Sequence, residues 1–341
     1  MGPALCLLSA ACFGAMAIFG KFAYETGVTP ATALLVRFAL AAAILAVLLA
    51  LRPGLRRTGT APSRRAVVIA LGLGAVGYAT QAGLYFAALQ VMDASPLSLI
   101  LYTYPVLVTV GAVLLGRDRL TPRRSAALVA ASGGTLLVLL GAGGGSFHPL
   151  GALLAFGSAV TYTTYILIAD TVVRELPPPV ITTLVMTGAA GTFGARALVT
   201  GDVDLGFRAA GWWWLACIAV VSTVLAALAF FAGLRRSGPS SAAILSTFEP
   251  VVTAGLATLT LGESLTAAQL AGGVLVLASV AVLQTGSRDS EEVAAQTPGD
   301  VPIGDGHGPR DARGRVGHDR LGRRSAAARG TIVRARSEEF R

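Results

Sequence analysis

Apolar residues in this chain come in ten long runs broken by short polar connections: 3–23, 31–51, 66–88, 95–116, 124–142, 149–170, 178–199, 211–234, 240–261 and 267–284. A bilayer core of roughly 30 Å is crossed by about 20 apolar residues at about 1.5 Å each. The pattern therefore predicts ten transmembrane helices. The last run is short, and 124–142 and 267–284 are rich in Gly and Ala. Breaks fall at Thr29-Pro30, Arg52-Pro53-Gly54, Thr121-Pro122, the Gly141–Gly145 run and Pro177-Pro178-Pro179, the usual punctuation between helices. No basic segment precedes the first run, so 3–23 reads as a retained span and not a cleaved signal.

Inside this pattern one segment occurs twice. Leu84–Thr121 carries Phe86-Ala87, Leu89, Ser95, Pro105-Val106 and Leu120-Thr121, and 145 positions on, without a gap, stand Phe231-Ala232, Leu234, Ser240, Pro250-Val251 and Leu265-Thr266. Asp118 is matched in type by Glu263. Five spans in each half is an odd number, so the second half must enter the membrane upside down. Charge agrees with that. Arg117, Arg119, Arg123 and Arg124 surround the first Leu-Thr, no base surrounds the second, and Arg235-Arg236 replace Gln90-Val91. Similar sequence with inverted charge marks an inverted-topology repeat, an architecture of secondary transporters with the substrate site between the halves.

Arginine also orients the chain. Arg52, Arg56, Arg57, Arg64, Arg65, the cluster at 117–124, Arg174, Arg235 and Arg236 all lie in even-numbered connections, and only Arg208 lies in an odd one. The positive-inside rule then places both termini in the cytoplasm.

Composition supports the membrane reading. Of 341 residues, 54% are hydrophobic and 13% charged, about half the charge of a soluble domain, and the mean hydropathy is +0.69. The pI of 10.2 does not indicate a nucleic-acid protein, because the bases sit between apolar helices instead of on one patch. After Gln284 the character changes. Residues 285–341 hold 11 Arg and 9 acidic residues with almost no aromatics, and are expected to form a disordered cytoplasmic tail. Cys6, Cys12 and Cys217 lie in apolar runs without metal-ligand spacing and read as small buried hydrophobes.

A charge at the bilayer centre costs about 2.5–3.5 kcal/mol, so it usually faces a cavity or a partner. Lys21, Arg37 and Glu249 are the candidates, with Asp170 and Arg196 nearer span ends. Lys21 is the only lysine beside 26 arginines; it is either a preferred compact ammonium or a residue snorkelling at the outer end of the first helix. Arg37 has the geometry to take a substrate carboxylate bidentately, or to pair with a helix carbonyl or acid. Glu249 precedes Pro250, where a lost helix bond favours a polar break. A carboxyl at that depth suits reversible protonation during coupled transport, or pairing with a base to hold the bundle. Its repeat mate is Tyr104, so the proline is shared and the acid is not.

Tyr78, Gln81 and Tyr85 fall on one helical face. Tyr102 and Tyr104 flank the break before Pro105, and Thr161, Tyr162 and Tyr165 mark the sixth span. As a set they indicate a polar, aromatic cavity, although such groups also join helices to one another. The cavity is expected among spans 3, 4, 6, 8 and 9. Trp212-Trp213-Trp214 reads as an interfacial anchor. His148, His307 and His318 lie outside the spans and no Gly-Lys-Ser/Thr loop occurs, so neither a His-based site nor a built-in ATPase is expected.

Phe13-Gly14, Lys21, Pro30 and Leu35-Val36-Arg37-Phe38, then Gln81, Leu84–Leu89, Ser95 and Tyr104-Pro105, resemble one repeat of an EamA-type transporter of the drug/metabolite transporter superfamily. Ala232-Gly233-Leu234, Glu249-Pro250 and Leu261–Thr266 resemble the second. Two departures stand out: Arg117 separates Gly116 from Asp118 where the family has Gly directly before Glu, and the second copy has no equivalent of Lys21 or Arg37. The resemblance covers about 1–284. It implies an all-α membrane protein of two inverted five-helix repeats, 3–142 and 149–284, that moves small metabolites, often amino acids, across the cytoplasmic membrane. Efflux is the expected direction. No catalysis, cofactor or metal is expected; the partners are a small-molecule substrate, the lipid bilayer, a coupling proton and a second copy as a homodimer. The alternatives are a broad drug exporter, or a receptor or scaffold acting through its tail.

Overall fold

Proline and capping residues set where the helices of this chain start. Pro30 opens a helix whose N-cap, Thr29, accepts a hydrogen bond from the Thr32 amide at 3.2 Å, which satisfies one of the donors a helix start leaves unpaired. Pro149 and Pro178 likewise sit in first turns, where a missing N–H costs nothing. The computed structural model describes residues 1–56, 63–89, 91, 94–141, 148–262 and 265–295. Of the disordered tail expected over 285–341, residues 285–295 are instead helical, continuing the last helix, and 296–341 lie outside the described residues, as do most of the Gly141–Gly145 run and Glu263-Ser264.

Among the described residues the chain is helical throughout, with no strand. The α-helices are α1 (Gly2–Glu25), α2 (Pro30–Leu51), α3 (Arg64–Gly72), α4 (Ala79–Leu89), α5 (Ala94–Leu101), α6 (Tyr104–Leu114), α7 (Pro122–Gly141), α8 (Pro149–Val172), α9 (Pro178–Thr200), α10 (Ala210–Ala219), α11 (Ala226–Ser246), α12 (Glu249–Leu261) and α13 (Ala267–Ala295). Among the described residues, six stretches are long and apolar enough to cross a membrane: Gly2–Glu25, Pro30–Leu51, Arg64–Tyr85, Pro122–Gly141, Pro149–Val172 and Ala210–Ser246. Tyr104–Leu114 and Ala267–Leu283 are apolar but shorter. α9 is long enough, but Thr182, Thr183, Thr187, Thr192 and Arg196 dilute its hydropathy.

The irregular places fall at matching points of the two halves. π-helical segments, Leu73–Tyr78 and Val220–Leu225, join α3 to α4 and α10 to α11. The run expected over 95–116 divides at Tyr102-Thr103, and the run over 240–261 at Thr247-Phe248. Tyr104 and Glu249 therefore each begin the second piece, with Pro105 and Pro250 in its first turn. Gly116 and Gly262, both left-handed at φ 66 and 69, follow those pieces, a conformation open to glycine without a Cβ penalty.

Packing follows the same correspondence. α1 packs on α11 and α12, while α8 packs on α4, α5 and α6. A shift of 145 residues turns one set into the other. α2 lies against its own mate α9, and α7 against its mate α13. At the α7–α13 crossing Gly134 faces Gly272, and a Cβ on either would come within 3 Å of the other's backbone. Lipid supplies no hydrophobic drive between helices, so such close backbone approach is what holds them together.

One face of the bundle carries the arginines and is knit by them. Arg117 reaches the end of α8, Arg123 donates to the Val282 carbonyl at 2.7 Å, and Ser63 donates to Glu175 at 2.9 Å. Most of the largest fully buried side chains lie toward this face, among them Leu45, Val108, Ile166, Leu176, Ile181, Leu234 and Leu245. At the opposite face Thr32 donates to the Asp204 carbonyl at 2.8 Å, and Trp212 and Trp213 are exposed. Trp214 departs from the anchor pattern and stacks on Phe22 at 4.7 Å.

Candidate functional site

A cavity of about 600 Å³ occupies the middle of the bundle. It lies in the half away from the arginine-rich face. α1 lines it with Phe13, Met16, Ala17, Gly20 and Tyr24, all toward the far end of that helix, and α12 with Glu249, Pro250, Thr253, Ala254 and Ala257. The chain has seven tyrosines, and all seven line this one cavity: Tyr24, Tyr78, Tyr85, Tyr102, Tyr104, Tyr162 and Tyr165. A tyrosine offers an apolar ring and a hydroxyl that wants a partner, so the concentration makes a wall that is both aromatic and hydrogen-bonding.

Arg37 enters the wall from α2. Its Nη1 donates to the Met16 sulfur at 2.9 Å and its Nη2 to the Tyr78 hydroxyl at 2.8 Å, and its guanidinium carbon lies 4.4 Å from the Phe38 ring centre. The residue is 7% exposed. Among the described residues no acidic side chain pairs with it, and its buried Nε has no hydrogen-bond partner. A buried cation held only by a thioether, a phenol and an aromatic face keeps hydrogen-bonding capacity for an anion.

Glu249 enters from the first turn of α12, where a carboxylate is favoured by the helix N-terminus. Tyr102 donates a hydrogen bond to it. The Glu249 carbonyl faces Gly14 of α1, and Thr253 donates to the carbonyls of both Gly14 and Glu249, at 3.0 and 3.1 Å. α1 and α12 therefore position the acid together.

A continuous chain of rings connects these two charged groups. Tyr102 lies 6.0 Å from Tyr104, Tyr104 4.8 Å from Tyr162, Tyr162 6.0 Å from Tyr165, and Tyr165 6.1 Å from Tyr78. Several hydroxyls and amides are anchored at the wall. Tyr104 hydrogen-bonds Ser246 and Tyr85 hydrogen-bonds Ser98. Gln81 donates to Ser158 at 3.2 Å, and Ser158 donates back to the Gln81 carbonyl at 3.1 Å.

Nine of the ten residues expected at a site thus meet here: Arg37, Tyr78, Gln81, Tyr85, Tyr102, Tyr104, Tyr162, Tyr165 and Glu249. Lys21 does not. It is exposed on α1 beside Gly20 and lies outside the lining. Thr161 returns its hydroxyl to the Gly157 carbonyl at 2.8 Å. Arg196 pairs with Asp202 at 2.8 Å, away from the cavity. The lining also extends beyond the five expected spans, taking in α1, α2, α7 through Val138 and Leu139, α9 through Met186, and α13 through Gln269. Thr223, in the second π segment, was not foreseen; it donates to the Ile218 carbonyl five residues back and lines the wall. No group of His, Cys, Asp and Glu suited to a metal occurs among the described residues.

Known proteins match this chain over most of its length. The EamA-like transporter family matches residues 1–140 and again residues 149–285. A protein of Archaeoglobus fulgidus, described as an uncharacterized transporter, is 27% identical over 212 residues, which is 62% of this chain and 74% of that protein. A solved structure, described only as the crystal structure of a protein, superposes with a TM-score of 0.70 at 19% identity, over 85% of this chain and 98% of its own. That likeness concerns the fold alone.

Proposed function

This chain belongs to the EamA-like transporter family and is a multi-pass membrane transporter, and from that premise we propose that it is a secondary carrier working by alternating access through the tyrosine-lined cavity. The observation that carries the proposal is the presence of Arg37 and Glu249 on one wall of one cavity. The topology proposed is ten crossings in two inverted five-helix repeats, with both termini in the cytoplasm. The exchange of α1–α11–α12 with α8–α4–α5–α6 under a 145-residue shift supports it.

Amino acids or related small metabolites are the proposed cargo, with export across the cytoplasmic membrane as the direction. Arg37 receives the anionic group. Glu249 orients the cargo or exchanges a proton as the coupling ion. The experiment uses protein reconstituted in liposomes, comparing wild type with Glu249→Gln for uptake of labelled amino acids under a pH gradient. The proposal expects the gradient to drive wild-type flux and not that of the variant. Equal pH-driven flux removes Glu249 as the coupling group, and no flux for any of a metabolite panel sinks the carrier itself.

A second reading, broad drug efflux, is favoured by the aromatic wall and by a volume in the range that holds drug-sized ligands. Arg37 argues against it, since a buried cation discriminates against neutral and cationic drugs. A receptor or scaffold acting through the tail would lose its phenotype on deletion of 296–341, whereas a carrier keeps its flux.

A further inference from the structure

Two helix pairs related by the 145-residue shift are packed differently, and the difference has a chemical cause at one end. The first pair is α6 with α8. It is closed from the middle of the bundle to the arginine-rich face. Tyr104 lies on Tyr162 at 4.8 Å, Gly111 lies under Leu167 so closely that a Cβ would meet that side chain at 2.7 Å, and Arg117 donates to the Leu167 carbonyl at 2.5 Å. The seam ends at Asp170, a carboxylate only 3% exposed. Arg117 approaches it at 3.9 Å and Arg174 at 3.5 Å.

The mate pair is α12 with α1. Its close contact is at the middle, where Gly14 meets the Glu249 carbonyl and Val252, and Thr253 bonds Gly14. Beyond that point Ala17, Gly20 and Tyr24 on one helix, and Ala254 and Ala257 on the other, line the open cavity. The positions equivalent to the closed seam are known from the shift. Gly111 and Leu167 correspond to Leu256 and Phe22, Arg117 and Asp170 to Gly262 and Glu25, and Arg174 to Thr29. The acid is kept in type; both cations are gone.

We infer that Asp170 and Arg117 form an ionic lock on the arginine-rich side, a pair that the equivalent positions of the opposite side, Glu25 and Gly262, do not repeat. The inference rests on the carrier reading and adds a resting state to it. Opening the arginine-rich side breaks the attraction between Arg117 and Asp170 and the hydrogen bond from Arg117 to the Leu167 carbonyl, and the matching positions of the opposite side offer neither contact. Closing the far side brings Phe22 toward Leu256, with Phe22 leaving its stack on Trp214, and brings Glu25 to a glycine. The two states are therefore unequal, and the cargo-free protein rests with the cavity open away from the arginines. Arg174 is a lesser partner, since its side chain is 65% exposed and such pairs are screened.

The test reads conformation without cargo, so a failed transport screen and a failed lock are separate results. In the full chain in lipid nanodiscs, with Cys6, Cys12 and Cys217 changed to alanine, a single cysteine replaces Ile166. That residue is fully buried one turn before Asp170. Its modification rate by a water-soluble maleimide is compared across Asp170→Asn, Arg117→Gln and the exchange of the two charges. With the lock intact the cysteine reacts slowly. Either single change raises the rate about tenfold, one decade in the two-state balance, and the exchanged pair restores the slow rate. If Asp170→Asn does not fold, Arg117→Gln alone decides. Unchanged rates in the single variants overturn the lock, as does a rate that the exchanged pair fails to restore.

Discussion

The Tyr102 hydroxyl donates to the Glu249 carboxylate, joining the divided helix of one repeat to the divided helix of the other. Tyr102 stands at the division between α5 and α6, and Glu249 begins α12. Neither group has a counterpart of its own kind in the opposite repeat, where Thr247 and Tyr104 hold the equivalent positions.

Tyr102→Phe keeps the ring and removes the donor. A hydrogen bond to a carboxylate contributes about 1.5–3 kcal/mol, so flux at subsaturating cargo should fall about tenfold or more. Thermal stability in detergent should change little, because the ring still packs on Tyr104. A Tm that collapses with the flux would make the bond structural.

Arg37→Met separates binding from folding. Removing one member of a buried ion pair leaves an uncompensated charge and costs about 3–5 kcal/mol. Arg37 has no acidic partner among the described residues, so its replacement by an apolar side chain of similar length should leave the Tm within a few degrees of wild type while abolishing transport of anionic cargo. Arg37→Lys restores charge without the fork and should recover only part of the flux. A large loss of stability in Arg37→Met would assign the guanidinium to the scaffold.

Gly14 and Gly20 lie on one helix in opposite situations. A Cβ at Gly14 would come within 2.8 Å of the Glu249 carbonyl, whereas one at Gly20 meets nothing within 4 Å. Gly14→Ala should therefore cost about 1–3 kcal/mol through overpacking and lower flux by displacing the start of α12. Gly20→Ala should be neutral, or stabilise by up to about 1 kcal/mol through helix propensity. Paired thermal melts and flux assays check both, and equal effects would contradict the placement of Gly14.

Much of this site was legible from spacing and rarity. Tyr78, Gln81 and Tyr85 share a face because three and seven residues return to the same side of a helix. Arg37 and Glu249 stood out because charge is expensive in apolar runs. What stayed hidden has physical causes. Phe13 and Met16 line the cavity from an apolar helix, where a lining residue and a lipid-facing one are the same type. Thr223 lies in a π-helical segment, whose extra residue per turn rotates it away from the face that 3.6-residue spacing assigns. Lys21 stood out by rarity as Arg37 did, yet it is exposed one position from the lining, and rarity alone carries no direction. Asp170 looked like an ordinary span-end charge, because its cation Arg117 is 53 residues away in sequence.

The central claim is that the tyrosine-lined cavity is the path of the cargo and opens away from the arginine-rich face. Gly20→Cys, in a chain without Cys6, Cys12 and Cys217, tests it directly, since the new side chain projects into the open wall. In sealed vesicles of known orientation, an impermeant maleimide should reach it from the side opposite the arginine-rich loops. A transported substrate at ten times its Kd should slow the reaction about tenfold, in proportion to the occupied fraction. Labelling only from the arginine-rich side, or a rate indifferent to every transported substrate, would contradict the account.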